Sequence, residues 1–177
     1  MIDVAPPGAT TEQGPVLRLA LYQPDRPHNF GAALRLTACL GVGLDLIEPC
    51  GFPLDDRRIR QAALDYGGQA RWVRHIDFAA FEQVRLAQGR RLVLLSTRGE
   101  HIHHRFTFRP DDVLMLGRES SGVPGPVFAG ADQSVRIPMR AGLRSLNLAI
   151  AAAIALSEAL RQCGGFDEPH ERAGVLV

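Results

Sequence analysis

The chain has 177 residues, 46% of them apolar and 22% charged, with a formal net charge of +1; that length and balance suit one globular domain that needs no staple of disulfide or metal. Its three cysteines, Cys39, Cys50 and Cys163, cannot all pair and lack CxxC spacing, which excludes a disulfide framework and a zinc ribbon. The longest uncharged apolar run, Leu148 to Leu156, is too short to cross a bilayer and no secretion signal opens the chain, so a cytoplasmic protein without a membrane partner is expected.

In chain order, residues 1–15 are rich in proline and glycine, carry no apolar period and read as a flexible tail. Val16–Tyr22 reads as a strand, and Gly31–Leu40 as a helix entered through Asn29, a residue type suited to capping. Gly43–Ile47 is a second strand. Asp55–Leu64 reads as a helix with carboxylates in its first turn, where the helix dipole favours them. Trp72–Val73 reads as a short strand, Asp77–Gln88 as a helix, and Arg91–Ser96 and Val113–Leu116 as strands, the latter ending at Gly117. Ser134–Ile137 is a further strand and Leu146–Gln162 the longest helix. Residues 164–177 read as a second tail, which leaves one domain over 16–163. Alternating strands and helices predict an α/β fold, a mostly parallel sheet with helices on both faces. The last helix is apolar almost all round, so it must be buried on several sides, by the sheet and by a further layer that a second subunit could supply.

In open parallel sheets ligands bind beyond the carboxyl ends of the strands, in the loops that follow them. Three such loops stand out. The first contains Asn29-Phe30-Gly31-Ala32-Ala33-Leu34-Arg35, the second Gly117-Arg118-Glu119-Ser120-Ser121-Gly122-Val123-Pro124. The third runs Ile137-Pro138-Met139-Arg140-Ala141-Gly142-Leu143-Arg144-Ser145-Leu146-Asn147 into the apolar helix. Taken singly, Asn29 and Ser145 read as helix caps, Arg35 as a surface residue, and Gly117 and Gly122 as turn formers. Neither GxGxxG nor GxxxxGK[ST] is present, so neither common phosphate-cradling loop is supported.

Together, in this order and spacing, the three segments resemble the three motifs of the SPOUT superfamily of RNA methyltransferases. The likeness is to the small single-domain branch that methylates the ribose 2′-hydroxyl of the tRNA wobble nucleoside, cytidine or uridine. It runs from about Leu17 to Gln162 and includes Ile47-Glu48-Pro49, Gly51-Phe52 and Leu64-Asp65-Tyr66. The resemblance implies a C-terminal trefoil knot, S-adenosylmethionine bound at the knot, no metal, a homodimer whose interface completes the active site, and tRNA as partner. Leu95, Gly117, Ile137 and Ser145 match positions that touch the cofactor in similar proteins, with Met139 and Leu146 beside them; such residues can line an apolar adenine slot. Arg35 matches the arginine assigned to catalysis, and Asn29, Glu119, Ser145 and Asn147 match the remaining polar positions. Arg35 has two open roles: a base, which a charged guanidinium without an acceptor makes difficult, or a clamp on the phosphate beside the target ribose.

Two departures stand out: Phe30 and Ala32 replace the branch's usual threonine and asparagine, and Gly117-Arg118-Glu119 replaces Gly-Pro-Glu. They leave room for another tRNA position or an rRNA ribose, and a non-catalytic RNA-binding module is the other alternative. All 20 cationic residues are arginine, and Arg57, Arg58, Arg60, Arg71 and Arg74 form a candidate phosphate-facing patch, although a solvated helix face explains them nearly as well. His101-Ile102-His103-His104 reads as a surface loop rather than a metal site, because a metal needs further ligands from elsewhere.

Overall fold

A computed structural model describes residues 17–54 and 71–165. The expected helix Asp55–Leu64, the Leu64-Asp65-Tyr66 segment, Arg57, Arg58 and Arg60, and most of both predicted tails lie outside the described residues. Seven strands form one sheet: β1 Arg18–Tyr22, β2 Gly43–Ile47, β3 Trp72–His75, β4 Arg91–Leu95, β5 His101–Ile102, β6 Asp112–Leu116 and β7 Gln133–Arg136. Their order is β3-β2-β1-β6-β4-β7-β5, and every neighbouring pair is parallel. Among the described residues there are four α-helices, α1 Pro27–Cys39, α2 Phe78–Ala87, α3 Gly125–Ala129 and, after the last strand, α4 Leu148–Gln162.

A parallel sheet covered on both faces should consist of continuous apolar runs, and β2 and β6 are buried at every position. Alternate side chains divide between two cores. Leu19 and Leu21 of β1 join Phe30, Leu34, Leu114, Leu148, Ala152 and Leu156 under α1 and α4. Ala20 and Tyr22 join Phe81, Val113, Met115 and Val127 under α2 and α3.

Charged groups inside this frame are paired. Asp45 of β2 accepts from Arg18 Nε at 2.6 Å and Nη2 at 2.9 Å, and lies 2.8 Å from His75 Nε2. Burial pushes its carboxyl pKa up, but hydrogen bonds from His75 and Arg18 outweigh that and hold it below the usual carboxylate value. Arg91 grips the fully buried Asp112 through Nε at 2.6 Å and Nη2 at 2.8 Å.

Several local expectations need correction. Helix α1 begins earlier than expected, at Pro27, with Arg26 at the N-cap and no side-chain cap; proline suits the first helical position because its missing N–H has no partner there. Asn29 therefore lies inside the first turn, not at the cap. Ser145 does not cap the last helix either: Asn147 does, its Oδ1 accepting from the amides of Ala149 at 2.9 Å and Ile150 at 3.3 Å. The histidine run is not a loop; His101–Ile102 form edge strand β5 and His103–Arg105 a 3₁₀ turn. Helix α4 buries Leu148, Ala152, Ala155, Leu156, Ala159 and Leu160 but leaves Ile150 55% exposed.

Candidate functional site

The carboxyl ends of β1, β6, β4 and β7 lie side by side in the sheet, so the loops that leave them share one rim. Leu95 ends β4 and is paired in register with Leu116 of β6 and Val135 of β7. Gly117 follows β6 directly and Ile137 follows β7. At the usual strand spacing these three positions span about 10 Å, the scale of a purine. Leu95, Gly117, Ile137 and Met139 are half-buried. Leu146 is 38% exposed and Leu143 66%, and Ser145 is exposed.

Gly117 has no room for a side chain, because a Cβ there would lie 2.5 Å from the backbone carbon of Gly122. That contact belongs to a closed turn in which the amides and carbonyls of Arg118 and Gly122 pair reciprocally, each at 2.9 Å. Gly122 itself takes φ +69°, a left-handed conformation that glycine adopts without penalty. The turn thus presents residues 118–120 toward the loop that follows β1.

Three of the sequence-predicted polar residues meet there in one directional chain. The amides opening α4 donate to Asn147 Oδ1. Asn147 Nδ2 donates to Asn29 Oδ1 at 3.0 Å, and Asn29 Nδ2 donates to Glu119 Oε1 at 2.7 Å. Glu119 Oε2 accepts from the backbone amide of Asp25 at 2.7 Å. Asn29, the middle member, is only 3% exposed, so an unmade bond at its amide would be costly. The hydrogen-bond chain ties the loops after β1, β6 and β7 to one another.

The other predicted residues stand apart from that chain. Arg35 lies six residues beyond Asn29, about 9 Å further along the axis of α1, on the exposed side of the helix. Ser145 and Leu146 belong to the largely exposed 138–147 segment. Of the arginine patch, Arg71 and Arg74 are described and exposed, and Arg74 is paired with Glu48.

Sequence reasoning missed four participants. Ser120 donates its amide to Asp25 Oδ2 at 2.9 Å, and hydrogen bonding from Ser120 holds the Asp25 carboxyl below its ordinary pKa. The Arg118 guanidinium reaches Gln23 Oε1. Gln23 adopts φ +49°, while its Nε2 donates to the Glu48 carbonyl at 3.0 Å. Arg118 and Ser120 lie inside the second quoted loop and Asp25 just ahead of the first quoted segment, but no spacing pointed to them, and a left-handed glutamine leaves no mark in a sequence.

A parallel α/β sheet whose polar loops converge at the carboxyl ends of adjacent strands defines a ligand-binding enzyme class, and the comparisons with known proteins narrow it. Residues 16–157 match the SpoU rRNA Methylase family. The tRNA (cytidine(34)-2′-O)-methyltransferase of Beijerinckia indica is 57% identical over 146 residues, 82% of this chain and 91% of the relative. A solved structure described as concerning 2-OH methylation of C/U34 on tRNA superposes with TM-score 0.78 at 43% identity, covering 84% of this chain and 97% of that one. The SpoU methyltransferase AviRb of Streptomyces viridochromogenes, in complex with AdoMet, superposes with TM-score 0.73 at 26% identity, covering 86% of this chain and 59% of that one. The chain belongs to the SpoU methylase family.

Proposed function

We propose that this chain transfers a methyl group from S-adenosylmethionine to the ribose 2′-hydroxyl of the wobble nucleoside, position 34, of a tRNA. The observation that carries the reading is the Asn147–Asn29–Glu119 chain, which brings the three motif loops to one rim. The names borne by the relatives just described give the position on the RNA.

The rim suits the methyl donor. Leu95, Gly117, Ile137 and Met139 would line an adenine slot with apolar atoms and backbone groups, and Leu146 is exposed beside it. When bound, S-adenosylmethionine supplies a methyl group already activated by the adjacent positive sulfur. The protein's task is then to align the 2′-oxygen with the methyl carbon, so that the carbon–oxygen bond forms as the carbon–sulfur bond breaks and the hydroxyl proton passes to water, and alignment alone is worth several kcal/mol of barrier, of the order of 7. Asn29, Glu119 and Asn147 fix the loops that form the rim. Arg35 holds the phosphate beside the target ribose; five N–H donors in a fixed fork suit that role.

Arg35 lies on the outer side of α1, so we place it in the site of a second copy, within a homodimer over residues 16–163. Exposed Leu143, Leu146 and Ile150 support an interface beside the start of α4. A trefoil knot is supported by the strand order: β6 lies between β1 and β4, and β7 between β4 and β5, so the late strands enter a sheet built from earlier ones.

The test is transfer of labelled methyl from S-adenosylmethionine to bulk tRNA, with Arg35→Ala in parallel. Incorporation that falls at least about 100-fold in the variant supports the reading; equal incorporation by both removes Arg35 from it, and none by the wild-type protein rejects tRNA as substrate.

A further inference from the structure

Arg118 and Gln23 form a contact that the motif chain does not use. Gln23 is the first residue after β1 and the sole described non-glycine residue with positive φ. A left-handed glutamine is strained and persists only where its surroundings over-determine it. They do so here from three sides. The Gln23 amide donates to Ile47 O at 2.9 Å, its Nε2 donates to Glu48 O, and its Oε1 accepts from the Arg118 guanidinium. The residue therefore joins the carboxyl ends of β2, β1 and β6.

The two residues that follow Gln23 carry the consequences. Pro24 O accepts from the Gly51 amide at 2.9 Å. Asp25 gives its amide to Glu119 and takes the amide of Ser120 on its carboxylate. Residues 118, 119 and 120 thus each grip the 23–25 segment, and of these three it is Arg118 that holds its first residue, the one in the strained conformation. Its own backbone is fixed by the reciprocal pairing with Gly122.

We infer that Arg118, acting through Gln23, is a positioning residue for methyl transfer: it sets the direction in which the chain leaves β1, and so the place of Asp25, Asn29 and Glu119 relative to the cofactor rim. This rests on the methyltransferase reading above. Arg118 touches no reacting atom, so its loss should lower turnover while leaving cofactor affinity in place.

The experiment compares wild type, Arg118→Ala, Arg118→Lys, Gln23→Asn and the Arg118→Ala/Gln23→Asn double variant. Three quantities are read: turnover at saturating tRNA, S-adenosylmethionine affinity by titration, and melting temperature. Asparagine tolerates the left-handed conformation but is too short to reach the guanidinium. The expected result is a fall in kcat of about 10-fold in Arg118→Ala and in Gln23→Asn, because a small misplacement of aligned groups is costly. Cofactor affinity should stay within about twofold, Arg118→Lys should recover part of the loss, and the double variant should be no worse than the weaker single one. Wild-type turnover in Arg118→Ala would overturn the inference, as would losses that multiply independently in the double variant. So would a loss matched by weakened cofactor binding or by a lowered melting temperature, which would mark a merely structural role. If Arg118→Ala does not fold, the same comparisons are read from Arg118→Lys and Gln23→Asn. A wild-type protein inactive on tRNA rejects the methyltransferase reading and this inference together; an active wild type with an unimpaired variant rejects the inference alone.

Discussion

Asn29 can join two loops because its amide has opposite ends, an acceptor for Asn147 and a donor for Glu119. Glu119 has no such asymmetry: both its oxygens accept, one from Asn29 and one from Asp25. Glu119→Gln replaces one acceptor by an NH₂ group that must face a donor, so a part-buried bond is lost without a change of shape. The expected outcome is a loss of about 1–3 kcal/mol, seen as lower stability in urea melts and at least tenfold slower methyl transfer; unchanged melts and turnover would show that the Asn29–Glu119 bond does not hold the loops in place. At this scale Asn29, Glu119 and Asn147 are legible in the sequence because the resemblance fixes them. Their mutual contact is not, because it joins residues 90 and 118 positions apart. Gln23, Asp25 and Arg118 escape for a related reason: each acts through a tertiary contact with no period or spacing of its own.

The strands were the most legible elements, since runs such as Leu44-Asp45-Leu46-Ile47 and Val113-Leu114-Met115-Leu116 are buried on both faces of the sheet. Helix boundaries were less so, because a proline suited to the first turn competed with a cap residue at α1 and two cap residue types competed at α4. Pro27 moved the start of α1 forward, and Asn147 displaced Ser145 at α4. The five-residue α3 and two-residue β5 are too short to leave a periodic signal. Asp45 is an exception within the apolar strands, and its pairing sets a pH dependence. Its folded pKa lies below the unfolded value of about 3.9, so its contribution is complete above that value and disappears as pH falls through the folded pKa. Asp45→Asn leaves Arg18 without its charge partner and should cost about 3 kcal/mol at pH 7. The difference from wild type should shrink in urea melts at about pH 3; a difference that stays constant between the two pH values would assign the cost to packing instead.

Across the whole molecule, composition and length led to one globular domain and the alternation of strands and helices to the α/β class, and among the described residues no helix is long and apolar enough to cross a membrane. The strand order was not accessible in this way. Periodicity identifies strands but not neighbours, and nothing in it places β6 between β1 and β4. The apolar circumference of α4 was legible and remains informative: one side is buried, while Ile150 is left open beside Leu146 and Leu143. If a second copy covers that side, light scattering at micromolar concentration should give twice the chain mass of 19.3 kDa, and Ile150→Arg should shift the population toward the single chain. A monomeric mass for the wild-type protein would refute the dimer and leave exposed Arg35 without a site to enter.

The most direct measurement is the identity of the methylated nucleoside. Unmodified and cell-derived tRNA would be incubated with the protein and S-adenosylmethionine, cut into fragments and then nucleosides, and each product weighed. A gain of one methyl on the ribose of nucleoside 34, in a tRNA whose wobble base is cytidine or uridine, is the predicted result. Methyl on a base, or on a ribose elsewhere with position 34 untouched, would contradict the account.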